Sequence, residues 1–437
     1  MHYMGHSIEF DDNKCIKCTK CVMRCKTCSV GYLEIKVDEN GKKHLTAKDG
    51  VNCIHCGQCT LVCPVGAIRS QTILPKIKEV LQDKTKTTII QCAPSVRTAI
   101  GEYWKMEHSP IVEKKLNTAL RKLGFNKIFD VNFGADITTM VEATELIERL
   151  NNPNAKLPMF TSCCYAWVEY VLNYHPELKE YLTTARSPHL HSAGAYKTWW
   201  AEKNNIDPKN IVVISVMPCT SKKEEILKED AKINGMPLVD YSLTVRELAD
   251  LIKENNIDFP NLEESEGDLL SEYSGAGAIY GANGGVMESA LRTAYKMITG
   301  NDLKDFNLEM VRTDVGGFKT AEIDIAGKKI KVAVVSTVQN VEKILAELKE
   351  NPNAYHYIEV MSCAGGCIGG GGMPLLPIKP ADQLALLEER RKVLYDIDLS
   401  KKNKRTAHSN PIVKEYIEWV EKQNDHHLEH TLYHTKF

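Results

Sequence analysis

Three short segments each place cysteine just after an apolar, β-branched run: FTSCCYAW (160–167), MPCTSKKEE (217–225) and EVMSCAGGCIGGGG (359–372). Runs of that kind read as buried strands, and in an open α/β sheet ligands bind beyond the carboxyl ends of the strands. Cys163, Cys164, Cys219, Cys363 and Cys367 are therefore expected around one crevice. Four of these five thiols are enough to hold a [4Fe–4S] cube. Cys363 and Cys367 share one turn, and the glycines that follow let the backbone approach something bulky. Lys222, three residues past Cys219, can aim an ammonium at an anionic ligand.

A fourth region carries a commoner signal. Cys15, Cys18, Cys21 and Cys25, then Cys53, Cys56, Cys59 and Cys63 followed by Pro64, repeat one CxxCxxCxxxC spacing. Such a doubled run holds two [4Fe–4S] clusters, the fourth cysteine of each run ligating the other cluster. The expected sets are Cys15, Cys18, Cys21 with Cys63, and Cys53, Cys56, Cys59 with Cys25. Zinc is the alternative, but zinc sites rarely use four cysteines at this spacing. Two details depart from the pattern: Lys26, not proline, follows Cys25, and Cys28 is an additional thiol, read as buried and inert in preference to an alternative ligand. Glu39-Asn40-Gly41 is a hairpin turn signal. Residues 68–83 read as a helix leading out of this region, with Pro75 near its start.

These cysteines need a scaffold. A length of 437 residues allows two or three domains. Apolar runs at 87–91, 127–132, 157–160, 211–216, 332–336 and 357–361 alternate with helical patterns at 111–123, 138–150 and 341–350. Such alternation predicts an α/β fold with parallel sheets and helices on their faces. We expect a two-cluster ferredoxin-like domain over 1–83, a two-lobed catalytic domain over 84–400 with its cluster in the cleft between lobes, and a C-terminal wrapping tail over 401–437. The tail's histidines (His426, His427, His430, His434) have helical metal-ligand spacings, but the stripe of Ile412, Val413, Ile417, Val420 and Leu428 favours a helix lying on the core. The glycine-rich stretches at 274–285 and 365–372 are too loosely spaced for a dinucleotide fingerprint.

Net charge is −2, which predicts no nucleic-acid partner. Fifteen cysteines in tight CxxC steps favour metal ligation over disulfides in a reducing compartment. Residues 1–14 lack the apolar region of a secretory signal, and no apolar stretch is long enough to span a membrane. The expectation is a soluble, cytoplasmic protein.

The three cysteine segments, in this order and with the intervening text DVNFGAD, YSGAGAIYGANGGVMESALR and APSVR, closely resemble the iron-only ([FeFe]) hydrogenases over essentially the whole chain. The family signatures are approximately TSCCPxW, MPCxxKxxE and ExMxCxxGCxxGGG. The resemblance implies an H-cluster: a [4Fe–4S] cube on Cys164, Cys219, Cys363 and Cys367, with Cys367 bridging to a diiron unit that carries carbonyl, cyanide and an azadithiolate supplied by maturation proteins. Lys222 would bind one cyanide. Ser95 and the backbone near Pro94 would serve the other, with Met217, Pro218 and Met361 beside the diiron unit. Cys163 would carry protons, with a relay continuing through Glu142, Thr183, Glu145 and Arg149. Glu142, Glu145 and Arg149 share a helix face at i, i+3, i+7, although a plain Glu145–Arg149 ion pair has the same spacing. Glu225 is expected to support Lys222.

The implied reaction is 2H⁺ + 2e⁻ ⇌ H2, with ferredoxin or flavodoxin as electron carrier. At about 59 mV per pH unit the proton couple lies near −0.4 V at pH 7, within reach of low-potential clusters. Lys17, Lys20, Arg24 and Lys26 would face an acidic partner near the first cluster. Tyr165, Gly369, Met373, His189 and Tyr280 stand where the family commonly has other residues, and Cys92 reads as a structural thiol. A hydrogen sensor of low turnover and a non-catalytic iron–sulfur assembly protein are the rival readings. Sensors often change the relay cysteine or add a signalling domain, and assembly relatives tend to lose diiron-pocket residues such as Lys222.

Overall fold

The computed structural model describes residues 2–313 and 317–437. Two four-stranded sheets form its centre. In the first, Tyr241–Thr244, Ile211–Met217, Thr87–Cys92 and Lys127–Asp130 lie side by side in that order and all run parallel. In the second, Phe318–Ile325, Lys328–Ser336, Tyr357–Met361 and Met159–Phe160 are neighbours, parallel except for the hairpin of the first two. The central strands are buried on both faces, as their unbroken apolar sequence requires: Ile89, Ile90, Val213 and Ile214 are inaccessible in one sheet, Val332, Ala333 and Val360 in the other.

The long helix Val131–Asn151 begins directly where the strand Lys127–Asp130 ends. Asp130 stops the strand by accepting the Asn132 N–H at 2.8 Å, an N-cap that fixes the helix start. The expected strand over 127–132 is thus two residues too long, and the helix starts seven residues earlier than its periodicity suggests. Its first nine residues, Val131–Thr139, are buried all round, which hides an amphipathic period.

The N-terminal region pairs His2–Met4, Ile8–Phe10 and Ile68–Ser70 in a small antiparallel sheet. Ile68–Ser70 is therefore a strand, and the helix expected over 68–83 runs only over Leu74–Gln82, with Pro75 in its first turn. Leu33–Val37 and Lys43–Ala47 form the expected hairpin, Asp38 accepting the amides of Asn40 and Lys42 across the turn at 2.9 Å each.

At the C-terminus, Pro411–Gln423 and His426–Tyr433 are helices. Val413 and Val420 are buried, and Ile412, Ile417 and Leu428 pack against the same core as Phe133, Tyr196 and Trp199. The apolar stripe, not metal spacing, sets this helix's position. Among the described residues no helix is long and apolar enough to cross a membrane.

Candidate active site

All three cysteine segments fall just beyond strand ends. Cys163 and Cys164 follow Met159–Phe160, Cys219 follows Ile211–Met217, and Cys363 follows Tyr357–Met361. The crevice thus draws on both sheets. Cys367 shares its electrostatic surroundings with Cys164, Cys219 and Lys222, and Cys363 with Cys164, Cys219 and Cys367. Burial, reinforced by the neighbouring thiols, pushes the Cys363, Cys367 and Cys219 thiols up. Buried thiols this crowded become thiolates only against a compensating positive charge such as iron.

The loop around them is shaped for a bulky group. Gly366 has φ +88°, and a Cβ there would lie 2.7 Å from the Asn283 amide nitrogen, so a side chain is excluded twice over. The Ser362 N–H donates to Cys164 Sγ at 3.4 Å, and the Ser221 hydroxyl to Cys219 Sγ at 3.3 Å. Hydrogen bonds to sulfur are the usual surroundings of an iron–sulfur ligand. Ser95, in the loop after Thr87–Cys92, is fully buried and its hydroxyl has no protein partner. A buried orphan hydroxyl of this kind calls for a ligand.

Lys222 opens the short helix Lys222–Glu225 and is almost wholly buried. Its ammonium donates to the Cys163 carbonyl at 3.0 Å and to Glu225, the contact expected from i, i+3 spacing. Burial opposes the charge, but Glu225 and the thiols of Cys219 and Cys163 together hold the Lys222 pKa above its ordinary value. Glu225, despite its burial, is pulled down to about 2 by Lys222 and His189. His189 Nε2 lies 2.7 Å from Glu225, so this substitution enters the Lys222 support. Met361 and Tyr280 pack with Cys163, Cys164 and Cys367. Met217 lies instead in the large core with Met373. Pro218 turns its carbonyl to the Gly372 N–H at 2.6 Å. Tyr165 is buried against Val168 and carries Lys228 over its ring at 5.7 Å. Gly369 leaves no room for a Cβ, which would meet the Ala364 carbonyl at 2.2 Å.

Next to this crevice lies a chain of acidic groups. Cys163 is pushed well above an ordinary thiol by burial, then by Glu142 and by Cys367. Glu142 is 1 % exposed, and burial raises its carboxyl to about 8 against the pull of the Tyr357 hydroxyl, which donates to it at 2.8 Å. One turn further along the helix, Glu145 Oε2 accepts the Thr183 hydroxyl at 2.7 Å, while Oε1 accepts Arg149 Nη2 at 2.6 Å. Arg149 also donates to the carbonyls of Lys156, Tyr181 and Leu182, so it anchors Glu145 more firmly than an exposed ion pair does. Sequence reasoning missed Tyr357, whose strand position YIEVM gives no sign of the helix it faces.

The N-terminal thiols form two groups. One cavity is lined by Cys15, Cys18, Cys21 and Cys63 together with Phe10, Ile35 and Leu45. Cys53 and Cys56 each sense Cys25, as does Cys59, so the fold sets Cys25 beside the second run and Cys63 beside the first. Backbone amides again point at sulfur: Tyr32 to Cys25 at 3.2 Å and Ala67 to Cys63 at 3.2 Å. Cys28 is buried near Cys56, and Cys92 is buried with its thiol pushed up. Among the described residues no three His, Cys, Asp or Glu side chains converge as ligands of a single ion. Of the four basic residues expected to face a partner, Lys17 is paired with Asp12 and Arg24 with Gln58, which leaves Lys20 and Lys26.

The Cys56 turn docks on the second and third cysteine segments. Gln58 donates to the Gly369 carbonyl at 2.8 Å, and the Thr220 hydroxyl to the His55 carbonyl at 2.6 Å. A Cβ on Gly371 would lie 2.3 Å from the Cys56 carbonyl oxygen and 2.5 Å from Gly57 Cα. The bulky group these glycines admit thus includes the ferredoxin-like turn itself. Cys56 and Cys363 are near enough for one thiol to shift the other.

The sequence matches the family described as "Iron only hydrogenase large subunit, C-terminal domain" over residues 86–371, "4Fe-4S dicluster domain" over 14–67 and "Iron hydrogenase small subunit" over 384–437. Iron hydrogenase 1 of Clostridium pasteurianum is 41% identical, the match covering 99% of this chain and 76% of that protein. The NADP-reducing hydrogenase subunit HndD of Solidesulfovibrio fructosivorans is 37% identical, with the same coverage of 99% and 76%. An apo [FeFe]-hydrogenase from Chlamydomonas reinhardtii superposes with a TM-score of 0.72 at 32% identity, over 84% of this chain and 99% of that one. A more distant relative, cytosolic iron-sulfur assembly component 3 of Rattus norvegicus, is 25% identical over 92% of this chain and 87% of its own length. With its thiol-lined crevice at the meeting of two sheets, its docked two-cluster region and these matches, the chain belongs to the iron-only hydrogenase family.

Proposed function

We propose that this protein interconverts protons and H2, taking electrons from a low-potential carrier such as ferredoxin or flavodoxin. The observation that carries this reading is the coincidence, in one crevice, of four crowded thiols, an orphan hydroxyl at Ser95 and a buried ammonium at Lys222. That donor set fits an H-cluster. Cys164, Cys219, Cys363 and Cys367 would hold it, Cys367 also meeting the diiron unit, with Lys222 and Ser95 as donors to its anionic ligands. When bound, the group supplies the two-electron chemistry of 2H⁺ + 2e⁻ ⇌ H2.

The protein supplies position, exclusion of water and protons. Met361 and Tyr280 wall the crevice. Cys163 gives and takes a proton at Sγ, and Glu142, with its pKa near neutrality, is suited to exchange with it. Thr183 and Glu145, held by Arg149, continue the path outward. Cys53, Cys56, Cys59 with Cys25, and Cys15, Cys18, Cys21 with Cys63, would hold two further clusters, which would supply electron transfer inward from a surface where Cys18 is exposed. Residues 1–83 serve as the conducting domain, 84–400 as the catalytic domain and 401–437 as its wrapping tail, in the cytoplasm, with maturation proteins delivering the diiron unit.

An H2 assay and an infrared spectrum of maturase-coexpressed protein test this reading. Carbonyl and cyanide bands with H2 turnover are expected. Bands without turnover would indicate a sensor, and no bands an assembly protein. Retention of Lys222, Cys163 and Cys367 favours the enzyme over both.

A further inference from the structure

We propose that His434 is the outermost station of the proton relay, exchanging protons with solvent and passing them through the Thr184 hydroxyl to Glu145. This rests on the relay reading above and extends it to the surface.

Arg149 occupies Glu145 Oε1 and does not deprotonate in a protein, so protons must pass through Oε2. Thr183, which is buried, donates to that oxygen at 2.7 Å. Thr184 donates to the same oxygen with its hydroxyl at 3.0 Å and its amide at 2.9 Å. The two threonines thus mark an inner and an outer branch. On the outer branch, Thr184 Oγ1 lies 2.8 Å from His434 Nδ1. A hydroxyl has one hydrogen, and with it committed to Glu145 the imidazole must be the donor to Thr184.

Transfer is then a concerted shift. The His434 Nδ1–H bond breaks as a new O–H forms on Thr184, and the former hydroxyl proton passes to Glu145 Oε2. Imidazolium becomes imidazole, carboxylate becomes carboxylic acid, and no electrons change hands.

The fold holds His434 in place independently of its ring. Thr435 N–H donates to the Thr184 carbonyl at 2.7 Å, and Ala185 and His434 form a backbone bridge. A surface cleft of about 640 Å³ opens here, lined by Glu145, Glu148, Arg149, Thr184, Glu429 and His434. The exposed His430 ring stands 5.4 Å from that of His434. Charged groups face His434 from every packed element: Glu145, Glu148 and Arg149 from the long helix, Glu421 from Pro411–Gln423, and Glu429 and His430 from its own helix. Burial lowers the His434 pKa, Glu145, Glu429 and Glu148 oppose that, and His430 adds to it. Burial thus favours loss of the proton from an imidazolium at this position.

The test is H2 evolution by mature holoenzyme, measured against pH with and without added imidazole. His434→Ala and His434→Gln should each lose about tenfold in turnover, a modest share of what proton-transfer groups contribute. Both should keep the parent's infrared bands, and imidazole should restore His434→Ala. His426→Ala, at a ring that is 95% exposed, should match the parent. The proposal is overturned if His434→Gln turns over like the parent, since hydrogen bonding alone would then suffice. It is equally overturned if imidazole does not rescue His434→Ala, or if His426→Ala shows the same loss. Cys163→Ala separates the two levels: an active Cys163→Ala removes the relay reading itself, while an inactive one beside a parent-like His434→Ala removes only this extension.

Discussion

Lys222 donates from its ammonium to the backbone carbonyl of Cys163 at 3.0 Å, which ties the second cysteine segment to the first. The residue proposed to bind a cyanide therefore also fixes the turn that presents the thiol proposed to carry protons. Its charge is balanced by Glu225, which His189 also contacts at 2.7 Å.

Lys222→Met leaves a buried carboxylate with only an imidazole for company. Breaking a buried pair from one side costs about 3–5 kcal/mol. The variant should unfold at a clearly lower temperature and bind the diiron unit poorly. His189→Gln keeps a donor for Glu225 and should lose little, whereas His189→Leu should lose about 1–3 kcal/mol for the lost bond. Thermal unfolding of the three variants checks the order: parent and His189→Gln together, then His189→Leu, then Lys222→Met.

Glu142 makes stability depend on pH in a defined direction. Burial raises its carboxyl from 4.5 to about 8 in the folded chain, so between these values the folded state holds a proton that the unfolded state has released. Stability from this group therefore falls as pH rises from 4.5 to 8 and levels off above it. Glu142→Gln removes that penalty. Its unfolding temperature relative to the parent should climb across this window and then flatten, while H2 turnover falls by about 10²-fold or more. A temperature difference independent of pH would show that Glu142 is not held protonated.

Gly371 sets the approach of the Cys56 turn to the catalytic crevice. Gly371→Ala must push Cys56 and Gly57 away, because its Cβ has no space. Turnover driven by reduced ferredoxin should drop several-fold, with infrared bands unchanged. An unaltered ferredoxin-driven rate would place the electron path elsewhere.

The sequence showed most of what lies on strands and little of what crosses between elements. The three cysteine segments were legible because Cys163, Cys219 and Cys363 follow apolar runs and the fold gathers those strand ends; which four of the five thiols hold the cube is implied by the family resemblance. The spacing also led to the expectation that Cys63 lies beside the first run and Cys25 beside the second, and the fold brings them there. Ile68–Ser70 was not, because three residues carry no period and their partner strand lies some 60 residues earlier. Tyr357 and Thr184 were missed for another reason: each acts on the helix Val131–Asn151 from a different element, and nothing local in LTTAR (182–186) or YIEVM (357–361) encodes that contact. His434 was visible only as part of a histidine-rich tail. Its hydrogen bond depends on Thr435 pairing with Thr184.

In the proposed site one cysteine of the crevice carries a proton while its neighbours carry iron. H2 turnover measured alongside the infrared spectrum of Cys163→Ala and Cys367→Ala, both matured with the parent, tests it most directly. Cys163→Ala should keep the carbonyl and cyanide bands and lose turnover by about 10²–10⁴-fold, and Cys367→Ala should lose the bands themselves. Full bands with near-parental turnover in Cys163→Ala would contradict the claim.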